Sequence, residues 1–275
     1  MTLTRRQFLS LGAAAASTGF YAWRVEPHWV EFVEWPLPIR GLPKSLIGRT
    51  LVQISDVHTG LRVDDDYLVD VFRRVSDLSP DIVVLTGDLI SHHADIFRQL
   101  EDVYRYFPQG RLATLGVLGN HDYGRAWREY DVADRVVATV ASLGLTVLRN
   151  AVVDVRGLQI VGLDDLWARR FAPALVMPCL DPDRPSLALS HNPDTADEPV
   201  WDGFEGWILS GHTHGGQCRP PFLPPPLLPV RNRRYTAGEF ALSGNRRLYI
   251  NRGVGHTLKV RMNVRPEVTI FTLTS

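Results

Sequence analysis

The chain has only two cysteines, Cys179 and Cys218, with neither CxxC spacing nor further cysteines around them. That excludes a zinc ribbon and leaves no disulfide framework to read. An excess of either charge is missing as well. Lys+Arg and Asp+Glu balance at 30 each, so there is no overall basic field for wrapping nucleic acid, and at most a local patch. No Gly-Lys pair occurs, which removes P-loop phosphotransfer, and no Gly-x-Ser-x-Gly, which removes the common serine-hydrolase elbow. The longest apolar stretch, Leu9 to Trp23, falls short of the ~20 residues a bilayer span takes. What is present is ordinary globular composition over 275 residues, 45% hydrophobic and 22% charged, enough for one large domain with a substantial core.

The first residues stand apart. Thr4-Arg5-Arg6-Gln7-Phe8-Leu9 precedes an Ala-rich apolar stretch with no polar face, a pattern that looks like a twin-arginine export signal. Residues 1–25 are therefore expected to serve as signal or membrane anchor, cleaved or retained, and residues 26–275 to form the folded domain. His28 to Pro43 reads as a proline-punctuated lead-in.

Beyond it one device repeats: a short apolar run ends abruptly in polar residues. Leu51 to Ser55 runs into Asp56-Val57-His58, Asp81 to Thr86 into Gly87-Asp88, and Leu112 to Leu118 into Gly119-Asn120-His121-Asp122. Ser186 to Ser190 runs into His191-Asn192-Pro193-Asp194, and Gly206 to Leu209 into Ser210-Gly211-His212-Thr213-His214-Gly215-Gly216-Gln217. Helical periodicity separates the early runs: Leu68, Val71, Phe72, Val75 and Leu78 share one face after an N-cap among Asp64 to Asp66. Ile96 to Tyr104 and Val132 to Leu143 supply two more, the last closing at Gly144. Strands alternating with helices predict an α/β sheet whose carboxyl-end loops line the ligand site. Later residues predict a second sheet: a hairpin of Ala151 to Val155 and Leu158 to Leu163, then strands near Tyr235 to Leu242, Arg247 to Asn251 and Val268 to Leu273. Six prolines between Arg219 and Val230 forbid helix or inner strand there and make a long loop attached to the histidine pair.

Together the strand-end loops offer Asp56, His58, Asp88, Asn120, His191, His212 and His214. Carboxylates, imidazoles and one amide oxygen are donors for hard-to-borderline divalent metals. One zinc takes about four donors, and seven are a supply for two metals sharing a carboxylate. Two such metals roughly 3.5 to 4 Å apart can hold a bridging hydroxide and clamp phosphate oxygens. Taken singly, Asp56 and Asp88 are as well explained as helix caps and Asn120 as a turn residue, but no structural role explains all seven positions. His28, His92, His93 and His256 have no partners in this set and are taken as surface or structural, as is the Asp164-Asp165 pair after the hairpin.

Asp-x-His, Gly-Asp, Gly-Asn-His-Asp, His and Gly-His-x-His, in this order across residues 50 to 215, resemble the calcineurin-like metallophosphoesterases. The resemblance implies a four-layer α-β-β-α sandwich of two mixed sheets. It implies that Asp56, His58 and His214 hold one metal (Mn, Fe or Zn), that Asn120, His191 and His212 hold a second, and that Asp88 bridges them. It further implies that His121 is catalytic, as proton donor or charge stabiliser at the leaving group, with Asp122 orienting its imidazole. The spacing around Gly211, Gly215 and Gly216 is expected to be an extended segment, alternate histidines pointing to the two metals. With the twin-arginine pattern, these motifs are most similar to the bacterial exported or membrane-associated subgroup that includes pyrophosphatases of UDP-2,3-diacylglucosamine. Phe222, Leu223, Leu227 and Leu228 in the proline-rich loop suit a membrane surface or an acyl chain, or simply pack on the sheet. The expected activity is hydrolysis of a phosphodiester or pyrophosphate bond in a lipid-linked substrate, with a small soluble monoester as the alternative. A non-catalytic scaffold of the same fold is the remaining reading, and it sits poorly with a complete donor set.

Overall fold

A computed structural model of the chain describes residues 4–275. Its body is two six-stranded mixed sheets packed face to face. The first runs in the order β1 (Glu31–Pro38), β12 (Glu267–Thr274), β2 (Thr50–Ile54), β3 (Ile82–Thr86), β4 (Ala113–Val117), β5 (Thr146–Val147). The second runs β10 (Gly238–Ala241), β11 (Arg247–Ile250), β9 (Trp207–Ser210), β8 (Ser186–Ser190), β7 (Leu158–Leu163), β6 (Ala151–Val155). β2 to β5 are parallel, as are β11, β9, β8 and β7, so the polar ends of β2, β3, β4, β8 and β9 gather at one rim.

Side-chain alternation sorts the core. Leu51, Ile82, Val84, Leu115 and Val117 point inward and meet Leu158, Ile160, Leu187, Leu189, Trp207 and Leu209 of the second sheet. Val52, Ile54, Val83 and Leu85 point the other way, under α2 (Asp65–Asp77), α3 (Ile96–Tyr104) and α4 (Tyr130–Ser142). Strands buried on both faces carry near-continuous apolar runs. Helix α2 starts where the sequence places it, the Asp64 carboxylate accepting from the Tyr67 N–H.

The two mixed sheets and the α/β class agree with the expectation. Over the outer face of the second sheet lie short 3-10 turns, Pro173–Leu175, Met177–Cys179 and Pro193–Asp197, and long loops bearing Trp201, Phe204 and Tyr235. Closely spaced prolines and short segments give no helical run there, yet the aromatics still cover Val161, Ala188 and Ile208.

The proline-punctuated lead-in is also more ordered than expected: residues 31–38 form β1, parallel to β12. Pro36 and Pro38 fit because β1 is an edge strand, where a missing N–H breaks no inner ladder.

Ahead of the body stands α1 (Arg5–Phe20), opened by a Thr4/Gln7 capping box and burying none of its residues. Among the described residues no helix is long and apolar enough to cross a membrane. Packing begins at Ala22, inside the segment expected to stay outside the fold: its carbonyl accepts the Arg261 N–H at 2.9 Å, and buried Glu26 accepts the Val264 N–H.

Candidate metal centre

All seven predicted donors meet at the rim between the sheets, and all are buried. Asp56, His58, Asp88 and Asn120 come from loops of the first sheet, His191, His212 and His214 from the second. Two groups can each hold an ion, Asp56 with His58 and His214, and Asp88 with His191 and His212, the donor atoms of each lying within 4.8 Å of one another.

Between neighbours the distances are those of edges in a coordination shell. His58 Nε2 is 3.1 Å from His214 Nε2, and His214 Nε2 is 3.3 Å from Asp56 Oδ1. His191 Nε2 is 3.1 Å from His212 Nδ1. With metal–ligand bonds of about 2.0 to 2.2 Å, tetrahedral or octahedral edges are about 3.0 to 3.5 Å. Asp88 Oδ2 lies between the groups, 3.5 Å from His58 Nε2 and 3.2 Å from His191 Nε2. Asn120 is the sharpest test of fit. Its side chain is buried and neither Oδ1 nor Nδ2 has a hydrogen-bond partner, an arrangement that costs about 1–3 kcal/mol per group unless something else is bound. The donors present therefore fit two divalent cations.

Other contacts fix the orientation of these rings and carboxylates. His191 Nδ1 donates to the Thr86 carbonyl at 2.8 Å and His212 Nε2 to the Pro229 carbonyl at 2.8 Å, which turns His191 Nε2 and His212 Nδ1 inward. Asp56 accepts the Ser55 hydroxyl and the His212 N–H. Fully buried Arg261 donates to the carbonyls of Arg252, Gly253 and Gly255 and lies 3.4 Å from His214 Nδ1.

The backbone at these positions is unusual. Asp56, His58, Asp88, His212 and His214 all have φ between 49° and 71°, the left-handed region that costs a non-glycine residue about 1–2 kcal/mol. This corrects the expectation for the histidine pair: it does not alternate along an extended segment. Left-handed residues just past the strand ends reverse the chain and aim the side chains inward. Gly211 leaves room for the donors, since a Cβ there would strike Ser55 and Asp56.

Burial dominates the titration of the cluster. It pushes His58 and His214 well below the ordinary histidine value, and with help from charged His191 it takes His212 down to about 3. Burial also raises Asp56 to about 6, against the pull of His191. Asp88 resists burial because His191, His121 and His58 hold it well below the usual carboxylate range. His191 likewise resists burial: Asp88 and Asp56 lift it to about 10. Without cations the buried donors are thus two carboxylates around a single imidazolium, with the Arg261 guanidinium against His214.

His121 sits at the edge, half-buried, its ring edge-on to His58 at 4.9 Å and its N–H donating to Asp88 Oδ1. Asp122 does not orient that ring. Its carboxylate points back and accepts the N–H groups of Gly119 at 2.8 Å and Ile90 at 3.0 Å, so it fastens the His121 loop to the loop after β3. His256 is buried and bonded to the Arg62 carbonyl.

Sequence reasoning missed the walls of the site. A cavity of about 430 Å³ opens beside Asp88, Asn120, His121, His212 and His214, and its lining includes Trp127, Trp167, Leu227, Leu228 and Leu258. Trp167 packs edge-on against His212 at 4.4 Å and beside Trp127 at 4.9 Å. Asp165, set aside as a turn residue, is buried with Oδ2 unpartnered, and burial raises it to about 7. The available signal was position: Trp127 and Trp167 each follow closely on a polar strand-end loop.

Two facing mixed sheets with this donor cluster on their common rim define a metal-dependent phosphoesterase, a hydrolase of phosphoric esters. The chain belongs to the calcineurin-like phosphoesterase family, whose family model matches residues 49–216. Among curated relatives it is 34% identical to the phosphodiesterase YaeI of Escherichia coli, covering 98% of this chain and 99% of that one. It is 33% identical to the uncharacterized metallophosphoesterase YkuE of Bacillus subtilis, over 99% and 98%. Identity to the UDP-2,3-diacylglucosamine pyrophosphatase LpxG of Chlamydia muridarum is 27%, over 94% of each.

Proposed function

We propose that the protein hydrolyses a phosphodiester or pyrophosphate bond in a lipid-linked substrate, such as UDP-2,3-diacylglucosamine or a phospholipid, at a membrane surface. The observation that carries this reading is the cavity's mixed lining: Asp88, Asn120, His121, His212 and His214 together with Trp127, Trp167, Leu227, Leu228 and Leu258. A small hydrophilic monoester has no use for that apolar wall, whereas the hydrocarbon part of a lipid gains about 25 cal/mol for each Å² it buries there. The names of the relatives in Escherichia coli and Chlamydia lend it support.

In this reading Asp56, His58 and His214 hold one divalent cation, Asn120, His191 and His212 the other, and Asp88 lies between them. The mixed N/O donors suit Mn, Fe or Zn. Two such cations, when bound, supply Lewis-acid activation of water and neutralisation of charge on the phosphoryl oxygens. The chain's own residues do the rest. His121 stands at the cavity edge to stabilise or protonate the leaving oxygen, Asp122 fixes the loop that carries it, and the tryptophans keep bulk water from one side of the reacting group. Arg5-Arg6 in the first turn of α1, followed by its apolar stretch, supports recognition by twin-arginine export machinery and an exported or membrane-associated location. A C-terminal reporter active only in the cytoplasm would count against export.

The test is turnover after chelator stripping and reloading with Mn, on bis-p-nitrophenyl phosphate, on p-nitrophenyl phosphate and on detergent-dispersed lipid. Metal-dependent preference for diester and lipid supports the proposal. Preference for the monoester makes the protein a phosphatase, and no turnover with any divalent metal favours a scaffold.

A further inference from the structure

The charges of this neutral chain are segregated. Segments 4–25, 217–234 and 252–265 contain eleven of its 30 basic residues and no Asp or Glu. The fold brings their ends together. The Arg261 N–H donates to the Ala22 carbonyl at the root of α1, and on the next residue Met262 exchanges backbone bonds with the base of the proline-rich loop, its N–H to Gln217 O and its carbonyl accepting from Arg219 N–H, each at 2.9 Å. Some of these cations are neutralised within the fold, Arg252 by Glu31 and Glu267 and Arg231 by Glu198. Arg24, Arg219, Arg234 and Lys259 are exposed and have no acidic partner among the described residues.

Apolar side chains stand among them. Phe222 is fully exposed at the loop tip, with Leu223 beside it, and Trp23 and Phe20 are exposed at the root of α1. Leu227 and Leu258 are exposed too, and both also line the cavity next to the metal donors, so its mouth opens on this face. The loop is not slack. Arg233 donates to the carbonyls of Pro225, Pro226 and Leu228, and Pro229 is tied to His212.

We propose that this face, α1 with the 219–228 loop and Lys259, docks on an anionic lipid bilayer, inserting Phe222 and Leu223 among the headgroups and setting the cavity mouth at the acyl boundary. Single apolar side chains on a proline-stiffened tip, with unpaired cations on the same joined segments, fit the lipid interface, where basic groups meet anionic headgroups and apolar ones pass below them. A protein partner would find no flat apolar area here. The inference rests on the lipid-substrate reading and adds how that substrate arrives: its chains pass from bilayer to cavity without crossing water.

The experiment is co-sedimentation of the full chain with vesicles of phosphatidylcholine alone or mixed with phosphatidylglycerol, across a salt series. The expected result is binding at least about tenfold tighter to the mixed vesicles and weakening as salt rises, each cation near the surface contributing about fivefold. On the same full chain, Phe222→Ser with Leu223→Ser, and separately Arg219→Glu with Lys259→Glu, should each weaken it about tenfold or more. These residues lie outside the cavity lining, so Mn-dependent turnover of bis-p-nitrophenyl phosphate should stay at the parent's level and report an intact fold. Equal binding to neutral and anionic vesicles overturns the proposal. So do variants that bind like the parent, since α1 alone would then hold the protein, and so does retention by heparin without vesicle binding. If the vesicle pattern holds but the parent cleaves no ester, the phosphoesterase reading fails and the docking face stands.

Discussion

Loading the cluster with divalent cations must expel a proton, and the structure says from where. In the metal-free protein burial opposes a charged His191, but Asp88 Oδ2 at 3.2 Å, with Asp56 and Asp165, lifts its imidazole to about 10. The cation needs the same Nε2, so the two compete. At pH 7 removing that proton costs about 4 kcal/mol, roughly a thousandfold in apparent affinity relative to pH 10. Apparent affinity should rise about tenfold per pH unit from about 6 to about 10, and more steeply below, where Asp56 at about 6 takes up a second proton. Stability of the stripped protein follows in the opposite sense. A raised His191 contributes fully below about 6.5, and this contribution is lost as pH rises through about 10, at about 1.4 kcal/mol per unit. His212, pushed down to about 3, removes stability as pH falls below about 6.5, whereas Asp56, raised to about 6, returns part of it as pH falls through that value. Calorimetric titration with Mn at pH 8, in buffers of different ionisation enthalpy, measures the protons released. The histidine nitrogen spectrum of stripped protein shows whether one site imidazole is charged. A spectrum with every site imidazole neutral at pH 8 would refute the reasoning.

Three substitutions test the remaining assignments. His121→Ala should leave both cations bound and lower turnover by roughly 10² to 10⁴, and unchanged kcat would remove it from the chemistry. Asp88→Asn should weaken both cation sites together, because Asp88 Oδ2 lies within 3.5 Å of donors from each, and a variant holding two cations tightly by metal analysis would contradict that. Gly211→Ala should lose metal binding without touching a donor, since its Cβ would strike Ser55 and Asp56, and wild-type metal content would show that the packing there can yield.

The donors were legible because each sits just past an apolar run, so a one-dimensional pattern of strand then polar residue maps directly onto the sheet rim. Their local shape was not. Nothing in Gly211-His212-Thr213-His214 announces φ of 71° and 49°, because that conformation is imposed by what the side chains must reach. β1 stayed hidden behind Pro36 and Pro38, whose tolerance depends on its edge position, a property of topology. Asp122 was expected on His121 because the residues are adjacent, yet its carboxylate caps Gly119 three residues back. The cavity wall escaped for a plainer reason: Trp127, Trp167 and Leu258 are far apart in sequence and share no period.

The centre is also a statement about how the sheets are held together. Three carboxylate or imidazole donors and one amide come from loops of the first sheet, three imidazoles from the second, and each ion-holding group mixes the two. Five left-handed donor residues at about 1–2 kcal/mol each, plus an unpartnered Asn120, are a burden comparable to the whole stability of an ordinary domain, about 5–15 kcal/mol. The apolar contacts between the sheets must carry that burden when no cation is bound, and bound cations, coordinating across the rim, offset it. On the proposed reading the strained loops would be half of a structure whose other half is the ions, and the rim proposed to perform the chemistry would, once filled, also close the sandwich.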